Sequence, residues 1–520
     1  MKKASIILVI LLNLGYSYCQ NFQTDWLQCF GTPGYDEGYD VIKTINGYYL
    51  LSVTEQKDVW LCKTDLEGNL VWDKKYGGSK SDGAVRLLKK NDNNYYIIGD
   101  TDSGDGDFTY DPYPNSPDIF VLSIDSSGNI LWDKIYGGSA RDLVSNATIK
   151  EDGSVIITGA TTSCDGDVSN CYGIYDFWII KIDSTGQKIW DLVIGSTTQD
   201  WSSIIINTSD GGYLTGGWTG QPFYPGGNIT CLPYGVFTDM LLVKLDSTGN
   251  IEWQQCYGGT NDEGISDIIS VENGYMLLCM TNSGDGDVAG AGYHLGYVNS
   301  GTQTFDIWVI NVDFQGNYLW SKCYGGISME VGGRIFKTSK GFRIFCEAQS
   351  FDGDVQGNHS WNDDYSDIWT FEIDSVGNLL SNQCFGSFSY ERLNYGVEQI
   401  NDNEYTITGS TQTYDWLCSG ELDIILMKIS DTVGVGYQEN DLKRPFVLYP
   451  NPANEFIVIE NHYQSTLMVE ITDLLGISQR QLIIPPGKNE FSINNYVPGI
   501  YLYQCRMDNK IISGKFTIVK

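Results

Sequence analysis

The 520-residue chain is poor in positive charge, with 32 Lys and Arg against 65 Asp and Glu, only three His, and a net charge of −33. A phosphate-backbone partner needs a basic surface, so this balance excludes nucleic acid as the ligand and disfavours an anionic membrane surface. Beyond the N-terminus no apolar run approaches the roughly eighteen residues that span a bilayer, so the mature chain is expected to carry no transmembrane segment. Also missing are Gly-x-Ser-x-Gly, His-Glu-x-x-His and any phosphate-binding loop, which leaves little for acid–base chemistry apart from carboxylates.

The acid that is present lies in one part of the chain. Residues 20–441 hold 59 acidic and 22 basic side chains, a net of −37, whereas 442–520 carry a net of +2, so two domains of different character are expected. Residues 1–19 read as a secretory signal: Lys2-Lys3, an apolar run from Ala4 to Leu14, and Ser17 and Cys19 at the small-residue positions before the cut. Bulky Tyr18 argues against lipidation of Cys19.

An aromatic residue, Ile194 in one degenerate copy, followed by Gly and a small residue recurs, with the Gly at 31, 77, 137, 195, 258, 325 and 386, mostly a few residues after a Trp. Each period holds four short strand-like runs separated by turn signals such as Asp125-Ser-Ser-Gly-Asn129. Seven units of four strands predict an all-β, seven-bladed propeller over residues 20–431. The first unit supplies only a fourth strand and the last unit only three, so the N-terminal strand is expected to complete the seventh blade and remove an exposed edge. The units resemble bacterial secreted propeller repeats of the form DGDVxG, DxWVxKxD, GNxxWxxxxGG, DGGYxxxG, which implies a fold rather than an activity.

One acid follows each Gly pair at a fixed distance: Asp36, Asp82, Asp142, Asp200, Glu263, Glu330 and Glu391. A second precedes each third strand: Asp58, Asp118, Asp176, Asp239, Asp306, Asp367 and Asp423. Two readings stand side by side, a carboxylate ring at the channel mouth available to a ligand, or acceptors for backbone N–H groups repeated with the blade. Four blades add Asp-Gly-Asp, at Asp105 and Asp107, Asp165 and Asp167, Asp285 and Asp287, and Asp352 and Asp354. Paired carboxylates around a Gly suit Ca²⁺, the one cofactor considered, though the third acid and terminal Glu of an EF-hand loop are absent; Asx turns are the alternative.

Blade 4 instead has an insertion with Phe223 and Tyr224, and blade 7 has Tyr414 and Trp416; loop aromatics beside carboxylates suit a sugar ring. The expected role is therefore recognition of a glycan or protein through the long-loop face. A glycosidase using paired carboxylates and a purely structural surface protein are the alternatives. Of thirteen Cys, Cys164 and Cys171 are expected to pair; Cys29, Cys256, Cys279, Cys323, Cys346 and Cys384 read as small buried hydrophobes, and Cys231 and Cys418 are unassigned.

After a linker at 432–444, residues 445–520 read as a small β domain. They resemble the type A C-terminal sorting domain of type IX secretion cargo through Tyr449-Pro450-Asn451-Pro452, Asp473 to Gly476, Gly499 to Tyr501, and the terminal Lys515 to Lys520. The resemblance implies an immunoglobulin-like sandwich, the type IX machinery as partner, and export to the surface or exterior of a Bacteroidota-type cell.

Overall fold

The computed structural model describes residues 22–431 apart from 56, 115, 221–225, 298–302, 360–364, 387–389, 395 and 413–421; beyond these it describes 446–449, 456–461, 466–473, 478–493, 495–497, 499–507 and 510–518. The chain divides into two units, Met1–Gly434 and Val435–Lys520.

The first unit is a seven-bladed propeller. Blade 2 shows the plan: antiparallel strands Asp82–Asn91, Asn94–Thr101, Asp118–Asp125 and Ile130–Tyr136, ordered from the centre outward. Five more sheets repeat it. In the seventh, the N-terminal strand Phe22–Phe30 pairs with Asp423–Asp431, Phe22 facing Asp431 and Phe30 facing Ile424, so the ring closes between its two ends.

Strand composition follows position in the blade. Second and third strands are sandwiched between neighbouring blades, and sequences such as Met240-Leu-Leu-Val-Lys-Leu245 are buried on both faces. Outer strands such as Lys188–Ile194 are exposed at their start. Each hydrophobic cluster joins two blades; Ile98 and Val121 of blade 2, for example, pack with Val144, Ile157 and Trp178 of blade 3. Burial between blades, more than within one, holds the ring together.

The repeated turns and aromatics also cross blades. Asp125 accepts the N–H groups of Ser127 and Asn129, both at 2.8 Å, and Gly128 takes φ of +73° to close the turn. The hydroxyl of Tyr76, from blade 1, donates to the Gly128 carbonyl at 2.8 Å, and Tyr136 makes the same bond to Gly186 of the next blade at 2.6 Å.

Two features depart from the uniform repeat. Most inner strands carry a bulge three residues in, as between Val144 and Asn146. In blade 7 the inner strand is split into Glu391–Arg392 and Val397–Asn401, and between them the Asn394 amide donates to the Gly38 carbonyl of blade 1.

The C-terminal unit holds two sheets. One contains Phe446–Tyr449, Phe456–Asn461 and Gly487–Ser492; the other contains Ser478–Ile484, Leu467–Asp473, Gly499–Met507 and Lys510–Ile518. Ile457, Ile459, Val469, Ile471, Leu482 and Ile484 form its core.

Candidate functional site

The long-loop face is built by a staple that repeats with the blade. In blade 2 the exposed Asp105 accepts the Ser79 N–H at 2.7 Å, and Asp107 accepts the Gly77 N–H at 3.0 Å while its own N–H returns to the Gly77 carbonyl. Gly106, at φ +72°, sits so close to Gly77 and Gly78 that a Cβ would meet the Gly77 carbonyl oxygen at 2.3 Å. Phe108 then enters the core. Asp165 and Asp167, Asp285 and Asp287, and Asp352 and Asp354 repeat the arrangement, with N–H donors from Ser139, Gly137, Thr260, Gly258, Ile327 and Gly325. Among the described residues no group of three or more His, Cys, Asp or Glu is arranged to hold a metal ion.

Blade 4 keeps the staple without the motif. Asn228 accepts the Gly195 N–H at 2.9 Å and donates to the Val193 carbonyl at 2.9 Å, and Gly227 takes φ of +81°. Both side-chain groups of this Asn, the first residue of an Asn-x-Thr sequon, are therefore engaged.

The seven ring acids do not line an open funnel. Asp36, Asp82, Asp142, Asp200, Glu330 and Glu391 are wholly buried and Glu263 is 2% exposed. Each of the six at 36, 82, 142, 200, 263 and 330 accepts the N–H of the second residue of its own turn, as Asp142 does from Gly138 at 2.7 Å. Hydroxyls supply further donors, Thr161 and Ser163 in the case of Asp142, whereas Asp36 takes the Glu55 N–H instead. Of the two readings from sequence, the backbone-acceptor role is the one these contacts describe, and a ligand on the surface does not reach them.

In every blade but the fifth, the residue after the ring acid is at least partly exposed. In blade 4 that residue is Trp201, directly across the strand pair from Trp218; their rings stack at 6.5 Å and 12°. Tyr175, from the loop of blade 3, packs against Trp201 at 5.3 Å, and the Trp201 Nε1–H donates to Ser145 at 2.9 Å. All three rings are partly exposed. Ring order places blades 7 and 1 across the channel, where the equivalent residues are Arg392 and Glu37, paired at 3.3 Å. Tyr39 donates to Glu37 at 2.9 Å and the Arg392 Nε–H to the Tyr390 hydroxyl at 2.6 Å. Beneath them Glu347 accepts the Leu393 N–H, and burial raises its carboxyl to about 7. The mouth thus has an indole wall on one side and a guanidinium–carboxylate wall on the other.

Deeper in the channel two further ion pairs join inner strands, Asp40 with Arg86 at 3.4 Å and Asp267 with Arg334 at 2.9 Å.

The sequence singles out none of Trp201, Trp218, Tyr175, Glu37 and Arg392. The usable signal is the position after the ring acid, occupied elsewhere by Gly83, Leu143, Gly264 and Val331, where Trp and Arg break the repeat. Phe223, Tyr224, Tyr414 and Trp416 lie outside the described residues, as does Cys418. Of the other loop aromatics, Tyr110 and Tyr297 are exposed, and Tyr293 is tied to the Thr304 carbonyl.

Cys164 and Cys171 are bonded. Two cysteines assigned as buried hydrophobes are not free: Cys256 is bonded to Cys231, and Cys29 is also in a disulfide. Both end outer strands, where a neighbouring loop can approach. Cys279, Cys323, Cys346 and Cys384 are free and buried.

In the second unit, Tyr449 ends a strand, Asp473 ends another, Gly499 begins the strand containing buried Tyr501, and Lys515 lies in the last strand. Pro450, Asn451, Pro452, Gly476 and Lys520 are outside the described residues. A family model described as a secretion system C-terminal sorting domain matches residues 447–520. Residues 447–520 are a type IX secretion sorting domain. The sorting domain directs export of the chain to the cell surface or extracellular space.

The remaining comparisons are distant. The chain is 22% identical over 223 residues to the regulatory protein FlaEY of Caulobacter vibrioides, an alignment that spans 38% of this chain and 23% of that protein. Among solved structures, the Dos1 propeller is 12% identical with a TM-score of 0.36, covering 76% of this chain and 77% of its own. BBS1N in complex with ARL6DN is 8% identical with a TM-score of 0.39, covering 79% and 98%. None of these likenesses says what this chain binds. Among the described residues no helix is long and apolar enough to cross a membrane.

Proposed function

We propose that the propeller is a binding protein carried out of the cell by its sorting domain, and that it captures a glycan at the mouth of the long-loop face. The observation that carries this reading is the Tyr175–Trp201–Trp218 group, partly exposed at the start of the blade 4 inner strand, with the Arg392–Glu37 pair at the equivalent position of blades 7 and 1. The apolar face of a sugar ring stacks on an indole, and its hydroxyls take hydrogen bonds from a guanidinium and give them to a carboxylate. Glycoside hydrolysis would instead need two carboxyls open to solvent at about 5–10 Å; burial of the ring acids favours binding over that chemistry. We further propose that the two sheets of the C-terminal unit form an immunoglobulin-like sandwich.

A glycan array probed with the full chain tests the reading. Binding is expected, weakened at least tenfold by Trp201→Ala and by Trp218→Ala. Absence of binding across the array, or binding that both indole variants leave intact, sinks it.

A further inference from the structure

At the blade junctions one acid is well supplied with donors and its neighbour is not. Asp142 of blade 3 accepts from the Gly138 N–H, Thr161 and Ser163. Asp118 of blade 2 is 1% exposed, and neither of its oxygens has a hydrogen-bond donor. The polar group within its reach is the Asp142 carboxyl, which serves as a partner only if a proton sits between them. Gly137 is pressed against both: a Cβ there would lie 2.0 Å from Asp118 Oδ1 and 2.9 Å from Asp142 Oδ2.

The junction of blades 4 and 5 repeats this. Glu263 accepts from the Gly259 N–H and Thr281, while Asp239 Oδ1 is buried without a partner, and a Cβ on Gly258 would meet both acids. At the junction of blades 5 and 6, Asp306 Oδ1 is likewise unpartnered beside Glu330, its Oδ2 being held by the backbone and ring nitrogens of His294.

Two carboxyls removed from water and set side by side do not both ionise. We propose that the junctions of blades 2 with 3 and 4 with 5 are each closed by a carboxylic acid and a carboxylate sharing one proton, so that these blades are clasped by protons and the stability of the ring is linked to pH. Asp118 donates to Asp142, and Asp239 to Glu263, which leaves the donor-rich acid of each pair with the charge.

The surroundings agree. Asp111, Asp167 and the Tyr113 hydroxyl also face Asp118, and Asp287 faces Asp239; none offers a positive charge, and the acids resist a second negative one. Burial first and the adjoining acid second raise Asp118 to about 9; burial raises Asp239 to about 8 against one N–H donor, with Glu263 adding to the rise. A proton held more tightly by the folded than the unfolded chain adds stability that is complete below the ordinary carboxyl range and lost as pH rises through these values.

Thermal melts of the full chain between pH 5 and pH 10 provide the test. The unmodified protein should lose on the order of 5 °C in Tm across that range. Asp118→Asn and Asp239→Asn, which keep a donor without a titrating proton, should flatten the profile and melt above the unmodified protein at pH 9. In infrared spectra the unmodified chain should show a carboxylic-acid C=O band at pH 7 that fades by pH 10 and is smaller in both variants. A Tm that is flat or rises from pH 6 to pH 9, or no acid band at pH 7, overturns the proposal. So does recovery of the alkaline Tm on adding Na⁺ or Ca²⁺, since a cation would then sit where the proton is placed. Should the Asn variants not fold, the infrared titration of the unmodified chain decides alone.

Discussion

At Gly137 a carboxyl oxygen of Asp118 occupies the place where any other residue would put its Cβ. Gly31, Gly195, Gly258 and Gly386 stand in the same relation to Asp423, Asp176, Asp239 and Asp367, each with a Cβ-to-oxygen distance of 2.1 Å or less. The repeated Gly and the repeated acids are therefore one feature, although the sequence displays them as two motifs. Gly137→Ala should cost about 1–3 kcal/mol in urea unfolding by overpacking, and Asp118→Ala in the same chain should remove part of that cost. Strictly additive losses would show that the two residues do not meet. The acids were visible in the sequence by periodicity, but their burial was not. Periodicity gives the same pattern for a ring facing a funnel and for a ring folded inward, and only the turn N–H donors such as that of Gly138 choose between them.

For elements, the carboxylates of the Asp-Gly-Asp loops take up backbone N–H groups at the turns beside them. The first carboxylate of each takes an N–H from the turn that enters the inner strand, and Asn228 fills the second acid's role in blade 4 with an uncharged side chain. A staple of this kind predicts that chelator leaves the Tm unchanged and that Asp105→Ala lowers it by loss of a loop hydrogen bond. A fall in Tm with chelator that Ca²⁺ reverses would instead make these loops cation sites. Strand count, order and phase were legible because turn residues punctuate every blade. The Trp201–Trp218 stack was not, since it depends on strand register, which the bulge between Ser202 and Ile204 resets. The Cys231–Cys256 bond escaped for a similar reason, joining a loop insertion to an outer strand that only packing brings together.

Across the whole molecule, the charge and the address belong to different units. Deleting residues 447–520 should leave the propeller inside the outer membrane, which fractionation and immunoblotting would detect; secretion at the normal level would contradict the sorting role. Burial also raises Asp100, Glu347 and Glu398 to about 7, so the ring should lose further stability as pH rises from 5 to 9, and the junction variants should remove only part of that trend. The pairing of Phe22 with Asp431 has a consequence for the order of folding. Nearly every other strand pair joins neighbours in sequence and can form early, but the seventh blade waits for the two ends of the propeller to meet. Bringing distant ends together slows folding far more than it costs in equilibrium stability, because closure entropy grows only with the logarithm of chain length. The last event in making this ring is thus the meeting of its first and last strands, and until then the partner edges at Phe22–Phe30 and Asp423–Asp431 are open to any other strand.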